Sequence, residues 1–291
     1  MARIEKLVIV GVGLIGGSFA LALKRAGAVK HVVGVGRGEQ NIRRALELGL
    51  IDAAGALDAR TLVDADLVML AAPVGQLGPV MRSMAPLLGS RTVVTDAGST
   101  KQDVVELARR ELKGSLERFV PGHPIAGTEH SGAEAAFAEL YRGRKVVLTP
   151  LAENSPDAVA RVRSAWEACG AQVLELEPEE HDAVFAAVSH LPHVLAYALV
   201  DHVARHENAK LLFSCAAGGF RDFTRIASSH PEMWRDICIA NRKALLAELH
   251  RYRDGLDRVQ AILERGDANG LENLFSDARA ARNRWLKENG Q

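Results

Sequence analysis

The first part of the chain alternates short, continuous apolar runs with segments of helical period. The apolar runs, which predict strands buried on both faces of a sheet, cover residues 6–10, 31–36, 65–72, 92–95 and 118–120. The helical segments between them include residues 19–27, 40–48 and 75–88. This alternation predicts an α/β domain with a doubly wound, mostly parallel sheet.

The pattern changes near Pro178. The segments predicted before that residue are a helix over 133–140, a strand over 145–149, a helix over 156–169 and a strand over 172–176. After it, the sequence contains helical segments and no convincing alternating strand. We therefore predict two domains, residues 1–177 and an all-helical domain over residues 178–291. The apolar faces of its long helices exceed what one small bundle buries, which predicts a homodimer formed through the helical domain.

A glycine-rich turn follows the first predicted strand and precedes a helix. The residues of this G-x-G-x-x-G turn are Gly11, Gly13, Leu14, Ile15 and Gly16. In this context glycines permit a tight turn and a close approach of the backbone to a pyrophosphate at the helix N-terminus. The turn predicts a dinucleotide site in a Rossmann-type domain, which fits the context better than a glycine-rich turn without a ligand. Ala72 and Pro73, at the carboxyl end of another strand, are expected to line the same site.

The position that selects between dinucleotides lies at the end of the second predicted strand. An acidic side chain about 20 residues past the motif binds the ribose 2′-hydroxyl of NAD, but this chain has Gly36 followed by Arg37. Glycine leaves room, and a planar guanidinium pairs well with a 2′-phosphate. We therefore favour NADP over NAD. The alternative is that Arg37 stacks on the adenine and Glu39 binds the ribose.

Composition argues against several classes of protein. Lys and Arg together number 36, as do Asp and Glu, so no excess of positive charge favours binding to nucleic acid or to an anionic membrane surface. No apolar run approaches the roughly 20 residues of a membrane span, and the N-terminus shows no basic leader or cleavage site. The three cysteines have no paired spacing. These features together predict a cytoplasmic protein with reduced thiols.

The stretch GHPIAGTEHSG, residues 122–132, is too polar and glycine-rich to fill a core, and we interpret it as a ligand-facing turn that carries His123. Ser99 and Lys101 follow another predicted strand in DAGSTK. Because the carboxyl ends of parallel strands meet at one edge, we expect His123 and Ser99 to lie near each other. Ser99 is alternatively the cap of the following helix, and Lys101 is equally interpretable as a solvated charge.

The helical part carries two further groups with potential chemistry. His190 and His193 lie three residues apart, on similar faces of a helix. Because no third ligand is evident, we expect no metal site there; the open interpretations are a core histidine bonded to the backbone and a hydrogen bond to substrate. Arg221 and Arg225 lie one helical turn apart. Pairing with Asp222 at the surface is one interpretation, and we favour an anion-binding role for one of the two arginines.

In their order along the chain, the motifs GVGLIGGS, DAGSTK, GHPIAGTEHSG, SHLPH and GFRDFTRIASSHPEMW resemble those of the prephenate/arogenate (cyclohexadienyl) dehydrogenase family. Each motif is weak alone, but the ordered set is specific and spans nearly the whole chain. The resemblance implies an enzyme of tyrosine biosynthesis that oxidatively decarboxylates prephenate or arogenate. A hydride passes from the ring carbon bearing the 4-hydroxyl group to NAD(P)⁺, carbon dioxide departs, and the ring becomes aromatic. No metal is required.

The resemblance also implies roles for single residues. It implies that His123 accepts the proton of the 4-hydroxyl group and that Ser99 orients either this histidine or the hydroxyl. It further implies that Arg225 binds the substrate carboxylate and that His193 lies on the other side of the substrate. The remaining positions, which line or gate the same pocket, are Ser189, Glu129 and Trp234.

Two other function classes stay open. A β-hydroxyacid dehydrogenase or imine reductase has the same layout and relies on a lysine in the helical domain, for which Lys210 and Lys243 are candidates. A non-enzymatic dinucleotide sensor would not need His123 beside Ser99. The sequence does not distinguish a preference for prephenate from one for arogenate.

Overall fold

The computed structural model describes residues 3–128 and 130–288. The chain forms two compact units, Met1–Arg242 and Lys243–Gln291. The boundary predicted at Pro178 is the point where strands give way to helices, but it lies inside the first unit, because the helices that follow it pack on the α/β part.

Six parallel strands form the main sheet of the first unit, in the order β3-β2-β1-β4-β5-β6. They are β1 (Ile4–Val10), β2 (Val29–Val35), β3 (Ala53–Gly55), β4 (Leu67–Leu70), β5 (Val93–Asp96) and β6 (Phe119–Val120). The short β3 was not predicted, because Ala-Ala-Gly contains no strongly apolar run. The strand order confirms the predicted doubly wound sheet and puts its ligand crevice at the carboxyl ends of β1 and β4.

Helices cover both faces of this sheet. They are α1 (Leu14–Arg25), α2 (Glu39–Glu47), α3 (Ala59–Leu62), α4 (Val74–Met84) and α5 (Gln102–Glu111). Alternate side chains of β1 enter different layers: Leu7 and Ile9 belong to one buried apolar cluster, and Val8 and Val10 belong to the other. A strand buried on both faces needs an unbroken apolar run, which is the pattern that identified it in the sequence.

A second, three-stranded sheet follows, with β7 antiparallel to β8 and β8 parallel to β9. Its elements are β7 (Gly122–Pro124), β8 (Lys145–Leu148), α6 (Pro156–Ala168) and β9 (Gln172–Glu175). His123 pairs with Val147 in this sheet. The prediction that His123 lies in a turn is therefore wrong: strand pairing holds its backbone, which positions the ring more tightly than a loop does.

The predicted helix over residues 133–140 is also wrong. Only a short 3₁₀ turn, Ala133–Ala135, forms there. The backbone N–H of Phe137 donates to Ser18 Oγ on α1 at 3.0 Å, instead of to the carbonyl four residues before it. Contact with α1 thus overrides the local helical pattern.

The rest of the first unit is helical. Its helices are α7 (Pro178–Phe185), α8 (Leu191–Ala204), α9 (Ala209–Ser214), α10 (Gly218–Thr224) and α11 (Pro231–Ala240). A π-helical turn, Ala186–His190, joins α7 to α8, and the backbone N–H of Leu191 donates to the Ala186 carbonyl. Pro192 explains this turn, because it has no N–H and its ring clashes with the carbonyl four residues earlier in a regular α-helix.

The continuous helical segment Pro178–Ala204 is long and apolar enough to cross a membrane by length and composition. The expectation that no run approaches a membrane span is therefore wrong by this measure. The segment nevertheless buries His181, Asp182 and His190, and these side chains form hydrogen bonds with other elements. We interpret it as the core helix of the helical part, because buried polar groups with protein partners are typical of a folded core.

The second unit consists of most of α12 (Arg242–Glu264) and all of α13 (Ala268–Glu288). The helices are joined around Gly266, whose φ of +60° favours glycine. Large apolar side chains exposed along the two helices include Leu246, Leu256, Leu263 and Phe275. Exposed apolar faces of this kind are typical of surfaces that bind another protein surface.

Candidate active site

The glycine-rich turn after β1 has the shape of a pyrophosphate cradle. Gly11 has a φ of +102°, and a Cβ built there lies 2.5 Å from the Ala71 carbonyl oxygen. A Cβ built at Gly16 lies 2.4 Å from the Gly11 carbonyl oxygen. No described atom lies within 4 Å of a Cβ built at Gly13, the N-cap of α1. The protein's own packing thus requires the first and third glycines, whereas the second allows a phosphate to approach the helix N-terminus.

Two side chains from elsewhere in the chain hold this turn. Asn41 Nδ2 donates to the Val12 carbonyl at 2.6 Å, and the Tyr141 hydroxyl donates to the Ile15 carbonyl at 2.6 Å. Leu14 is buried in the core and Ile15 is partly buried. These contacts fix the turn in the shape that a dinucleotide needs.

The other predicted cofactor positions lie at the same edge of the sheet. Ala72 and Pro73 connect β4 to α4, and a Cβ built at Gly11 lies 2.9 Å from the Ala72 backbone nitrogen. Arg37 follows β2 and is exposed. The residues at the carboxyl ends of β1, β2 and β4 therefore fit a dinucleotide.

His123 is the first member of a chain of three hydrogen-bonded side chains. Its Nδ1 atom lies 2.8 Å from Nε2 of His181, and Nδ1 of His181 lies 2.8 Å from Oδ1 of Asp182. Phe185, one turn further along α7, packs against both imidazoles, with ring centroids 4.8 Å from His123 and 4.5 Å from His181. The chain of hydrogen bonds and the phenyl ring together fix the orientation of His123.

Asp182 anchors this chain to the α/β part. Its two carboxylate oxygens accept hydrogen bonds from the backbone N–H groups of Lys101 and Gln102, at 2.8 and 2.9 Å. Asp182 therefore caps α5 from a different helix, and the alternative that Ser99 caps it is wrong: the N-cap residue is Lys101.

Ser99 is partly buried beside the same group of histidines. The resemblance implies that Ser99 orients either His123 or the substrate hydroxyl; the contact described at Nδ1 of the His123 ring is with Nε2 of His181. A hydrogen bond with the Ser99 backbone raises the pKa of His190, but burial has the larger effect and lowers it. A role for the Ser99 hydroxyl toward substrate stays a prediction.

Lys101 is fully buried, so its interpretation as a solvated charge is wrong. Its Nζ atom lies 2.6 Å from Oδ2 of Asp96, which is also fully buried. Asp96 accepts two further hydrogen bonds, from the backbone N–H groups of Gly98 and Gly122 at 2.7 and 3.1 Å. These bonds tie the end of β5 to the start of β7, which carries His123.

The surroundings of His123 keep its imidazole neutral. Burial lowers the pKa of His123 well below its ordinary value, and the neighbouring His181 and the positive charge of Lys101 add to the effect. Burial also lowers the pKa of His181, against the opposing hydrogen bond to Asp182. Burial acts to raise the pKa of Asp182, but hydrogen bonds from His181 and from backbone N–H groups outweigh it, and the pKa is lowered. At neutral pH the chain thus consists of two neutral imidazoles and a carboxylate.

His190 lies behind this chain. Its Nδ1 atom accepts a hydrogen bond from Asn241 Nδ2 at 3.1 Å, and the same amide group donates to the Asp182 carbonyl at 2.8 Å. Burial lowers the pKa of His190 to about 4. Of the two interpretations that the sequence left open for the pair, His190 fits that of a core histidine.

His193 belongs to a separate group, which neighbours His190. Its Nδ1 atom donates to the Ser189 carbonyl at 2.9 Å, and its ring stacks on Trp234 with centroids 3.5 Å apart. Burial lowers the pKa of His193, and the positive charge of Arg225 lowers it further. The structure therefore brings together four of the predicted substrate-binding residues, Ser189, His193, Arg225 and Trp234.

The remaining candidates differ in position. Glu129 lies outside the described residues. Arg221 is exposed and forms an ion pair with Asp222 at 3.3 Å, as the surface interpretation expected. Lys210, the candidate lysine of the reductase alternative, is exposed on α9, and Lys243 belongs to the second unit.

The sequence pattern did not identify three residues of this site, His181, Asp182 and Asp96. A signal was present for the first two, because an adjacent His-Asp pair interrupts an otherwise apolar helical segment, and buried polar side chains need partners. Asp96 offered a weaker signal, as the one charged residue at the end of a buried strand. None of these patterns identifies the partner.

Comparisons with known proteins agree with this geometry. The model of the prephenate dehydrogenase nucleotide-binding domain matches residues 19–175, and that of the prephenate dehydrogenase dimerization domain matches residues 177–277. The cyclohexadienyl dehydrogenase of Zymomonas mobilis is 36% identical over 287 residues, which cover 97% of this chain and 96% of that protein.

Two solved structures are similar over almost their whole length. Prephenate dehydrogenase from A. aeolicus, in complex with hydroxyphenyl propionate and NAD⁺, has a TM-score of 0.90 and 36% identity, covering 96% of this chain and 98% of that one. Synechocystis arogenate dehydrogenase has a TM-score of 0.81 and 32% identity, covering 97% of this chain and 100% of that one.

Proposed function

The chain belongs to the prephenate dehydrogenase family, and from that premise we propose that it oxidatively decarboxylates prephenate, arogenate or both with NAD(P)⁺. The product is 4-hydroxyphenylpyruvate from prephenate and tyrosine from arogenate. The observation that carries the proposal is the position of His123, held by His181 at 2.8 Å and tied through Gly122 to the end of β5. That edge of the sheet also carries the dinucleotide turn.

Bound NAD(P)⁺ supplies the hydride acceptor for the ring carbon that bears the 4-hydroxyl group. His123 accepts the hydroxyl proton at Nε2 while that carbon becomes a carbonyl. The bond to the ring carboxylate then breaks, carbon dioxide leaves, and the electron pair completes the aromatic ring as a phenolate. The imidazolium of His123 returns the proton to the phenolate, so the base is regenerated.

The group around Trp234 suits the rest of the substrate. The guanidinium of Arg225 pairs with a substrate carboxylate, since an arginine binds a carboxylate through two parallel hydrogen bonds. His193, stacked on Trp234, presents Nε2 on the other side of the substrate ring. The hydrogen bond from its Nδ1 to the Ser189 carbonyl fixes the orientation of the imidazole. Ser99 contributes its hydroxyl beside the 4-hydroxyl group.

For the cofactor, the chain uses NAD(P), and we propose a preference for NADP. Arg37 follows β2, at the position where an NAD enzyme carries an acidic residue. Its side chain is exposed and can pair with the 2′-phosphate of NADP. The test is to compare kcat/KM for NADP and NAD in the wild type and in Arg37→Gln. The preference for NADP should fall by about tenfold; an unchanged ratio assigns the preference to other residues.

The helical domain is proposed to form a homodimer, in line with the exposed apolar residues of α12 and α13 and the match to a dimerization domain. Cytoplasmic location also stays a proposal. Sedimentation of the purified protein tests the homodimer. A single species at the mass of one chain contradicts it.

The direct experiment is an absorbance assay of reduced nicotinamide with prephenate and arogenate, each with NAD and NADP. Turnover in at least one combination is expected, and no turnover in any of the four contradicts the proposed function. In His123→Asn, turnover should fall by about 10² to 10⁴-fold while the Kd for the cofactor stays the same, because His123 is assigned to proton transfer.

A further inference from the structure

We propose that His181 and Asp182 select the nitrogen of His123 that accepts the substrate proton. They hold His123 in the tautomer that carries its hydrogen on Nδ1, which leaves Nε2 as the base. Both are positioning residues, because they act through His123 and not on the reacting atoms. The identity of the proton donor rests on the proposed function, but the tautomer of His123 does not.

The carboxylate of Asp182 determines the tautomer of His181. An ionised carboxylate only accepts hydrogen bonds, and Asp182 accepts them from the backbone N–H groups of Lys101 and Gln102. Backbone N–H groups cannot reverse their direction, so they favour the ionised form. The third group bonded to Asp182, Nδ1 of His181, must therefore carry a hydrogen.

The tautomer of His181 then determines the tautomer of His123. A neutral imidazole with a hydrogen on Nδ1 has none on Nε2, so Nε2 of His181 is an acceptor. It lies 2.8 Å from Nδ1 of His123, which must be the donor. Nε2 of His123 is left with a free lone pair, which makes it the base.

Two neighbours keep this arrangement from reversing. Lys101, buried with Asp96, places a fixed positive charge near both rings, and this opposes a second proton on His181. Phe185 packs against both imidazoles and prevents either ring from flipping. The chain also stabilises the imidazolium that forms on His123, because its Nδ1–H already points at an acceptor.

The first test reads the tautomer directly, in protein labelled with ¹⁵N-histidine. The imidazole signals of His123 are identified by their loss in His123→Asn. In the wild type, Nδ1 of His123 should show the shift of a protonated nitrogen and Nε2 that of an unprotonated one. The reverse pattern overturns the proposal whether or not the protein turns over prephenate.

The second test reverses the chain with Asp182→Asn. With its amide nitrogen in place of Oδ1, the new side chain donates to Nδ1 of His181 and gives up the hydrogen bond from the Lys101 N–H, which shares Oδ1. This orientation shifts the hydrogen of His181 to Nε2 and that of His123 to Nε2 as well. We expect kcat to fall by about 10² to 10⁴-fold, with KM within about threefold and cofactor Kd unchanged. Asp103→Asn is the matched control, since Asp103 lies in the first turn of α5 but bonds to neither histidine; its kcat and its His123 signals should match the wild type.

A third pair of variants leaves the cap on α5 in place and so covers the case in which Asp182→Asn does not fold. His181→Gln keeps an oxygen that can accept the Nδ1–H of His123, whereas His181→Leu removes it. The glutamine variant should retain about tenfold more kcat than the leucine variant and keep Nε2 of His123 unprotonated. Equal kcat in the two variants, or wild-type kcat in Asp182→Asn when the hydrogen of His123 has moved to Nε2, overturns the proposal.

Discussion

The imidazole of His193 lies nearly parallel to the indole of Trp234, with ring centroids 3.5 Å apart and planes 18° apart. A hydrogen bond from Nδ1 to the Ser189 carbonyl, 2.9 Å long, fixes the rotation of the ring within that plane. Both anchors depend on the π-helical turn, which contains Ser189 and ends one residue before Leu191-Pro192. An irregularity imposed by a proline thus positions a substrate-binding candidate.

Removal of the stack should weaken substrate binding. In Trp234→Leu we expect KM for the substrate to rise by about 3 to 10-fold, because an aromatic pair contributes about 0.5–1.5 kcal/mol. Trp234→Phe keeps an aromatic face and should change KM by less than about twofold. Steady-state kinetics at saturating cofactor measure both variants. If the leucine and phenylalanine variants have the same KM, the stack does not position His193.

Arg221 of α10 and Arg225, the residue directly after that helix, offer a matched pair. Arg225 acts on the charge of His193, whereas Arg221 pairs with Asp222 at the surface. We expect Arg225→Gln to raise KM for the substrate by about 10 to 100-fold, since loss of a hydrogen bond to a charged group costs about 1.5–3 kcal/mol. Arg221→Gln should leave KM within about twofold, because exposed ion pairs contribute little. The opposite result moves the carboxylate site to Arg221.

The sequence pattern identified single residues of this site better than their partners. His123 was found because a glycine-bounded polar stretch does not fit a core. Its partner His181 lies 58 residues further along, and no local pattern encodes which helix docks against β7. The contact is decided by tertiary packing, so the sequence pattern does not identify His181 as the partner of His123.

The wrong prediction that Lys101 is solvated has a different cause, which is the pairing of buried charges. A lysine after a strand is usually exposed, and nothing local distinguishes Lys101 from a surface residue. Its burial follows from Asp96, whose carboxylate also collects two backbone N–H groups. Five of the six strands of the main sheet, in contrast, were predictable, because burial on both faces requires unbroken apolar runs that the sequence displays; the short β3 has no such run.

The glycine-rich turn provides a test that separates folding from cofactor binding. Gly13→Ala places its methyl group where no described atom lies within 4 Å, so the free energy of unfolding should change by less than about 1 kcal/mol. Its KM for the cofactor should rise by at least about tenfold, because the methyl group occupies the approach of the pyrophosphate.

Gly16→Ala is the contrasting variant. Its methyl group meets the Gly11 carbonyl oxygen at 2.4 Å and Ile9 Cγ2 at 2.6 Å, so we expect a loss of about 1–3 kcal/mol in the free energy of unfolding. Urea denaturation and cofactor titration of both variants check the pair. An unchanged cofactor KM in Gly13→Ala contradicts the assignment of the pyrophosphate to this turn.

His190 should make the stability of the protein depend on pH. Burial lowers its pKa from 6.5 to about 4 in the folded state. Asn241 donates to its Nδ1 atom, so protonation sets two donors against each other. Because the folded pKa is the lower one, the unfolded chain binds more protons between these two values. The stabilising contribution is therefore complete above pH 6.5 and is lost as pH falls toward 4.

The variant His190→Gln isolates this contribution, since its amide oxygen accepts from Asn241 at any pH. The titratable groups that act on His190 in the fold, Asp182, His181 and His193, are common to both proteins. Between pH 7.5 and 4.5 the wild type should lose about 2 kcal/mol more free energy of unfolding than the variant. Urea denaturation at constant protein concentration measures the difference, and parallel losses in the two proteins show that the fold does not lower the pKa of His190.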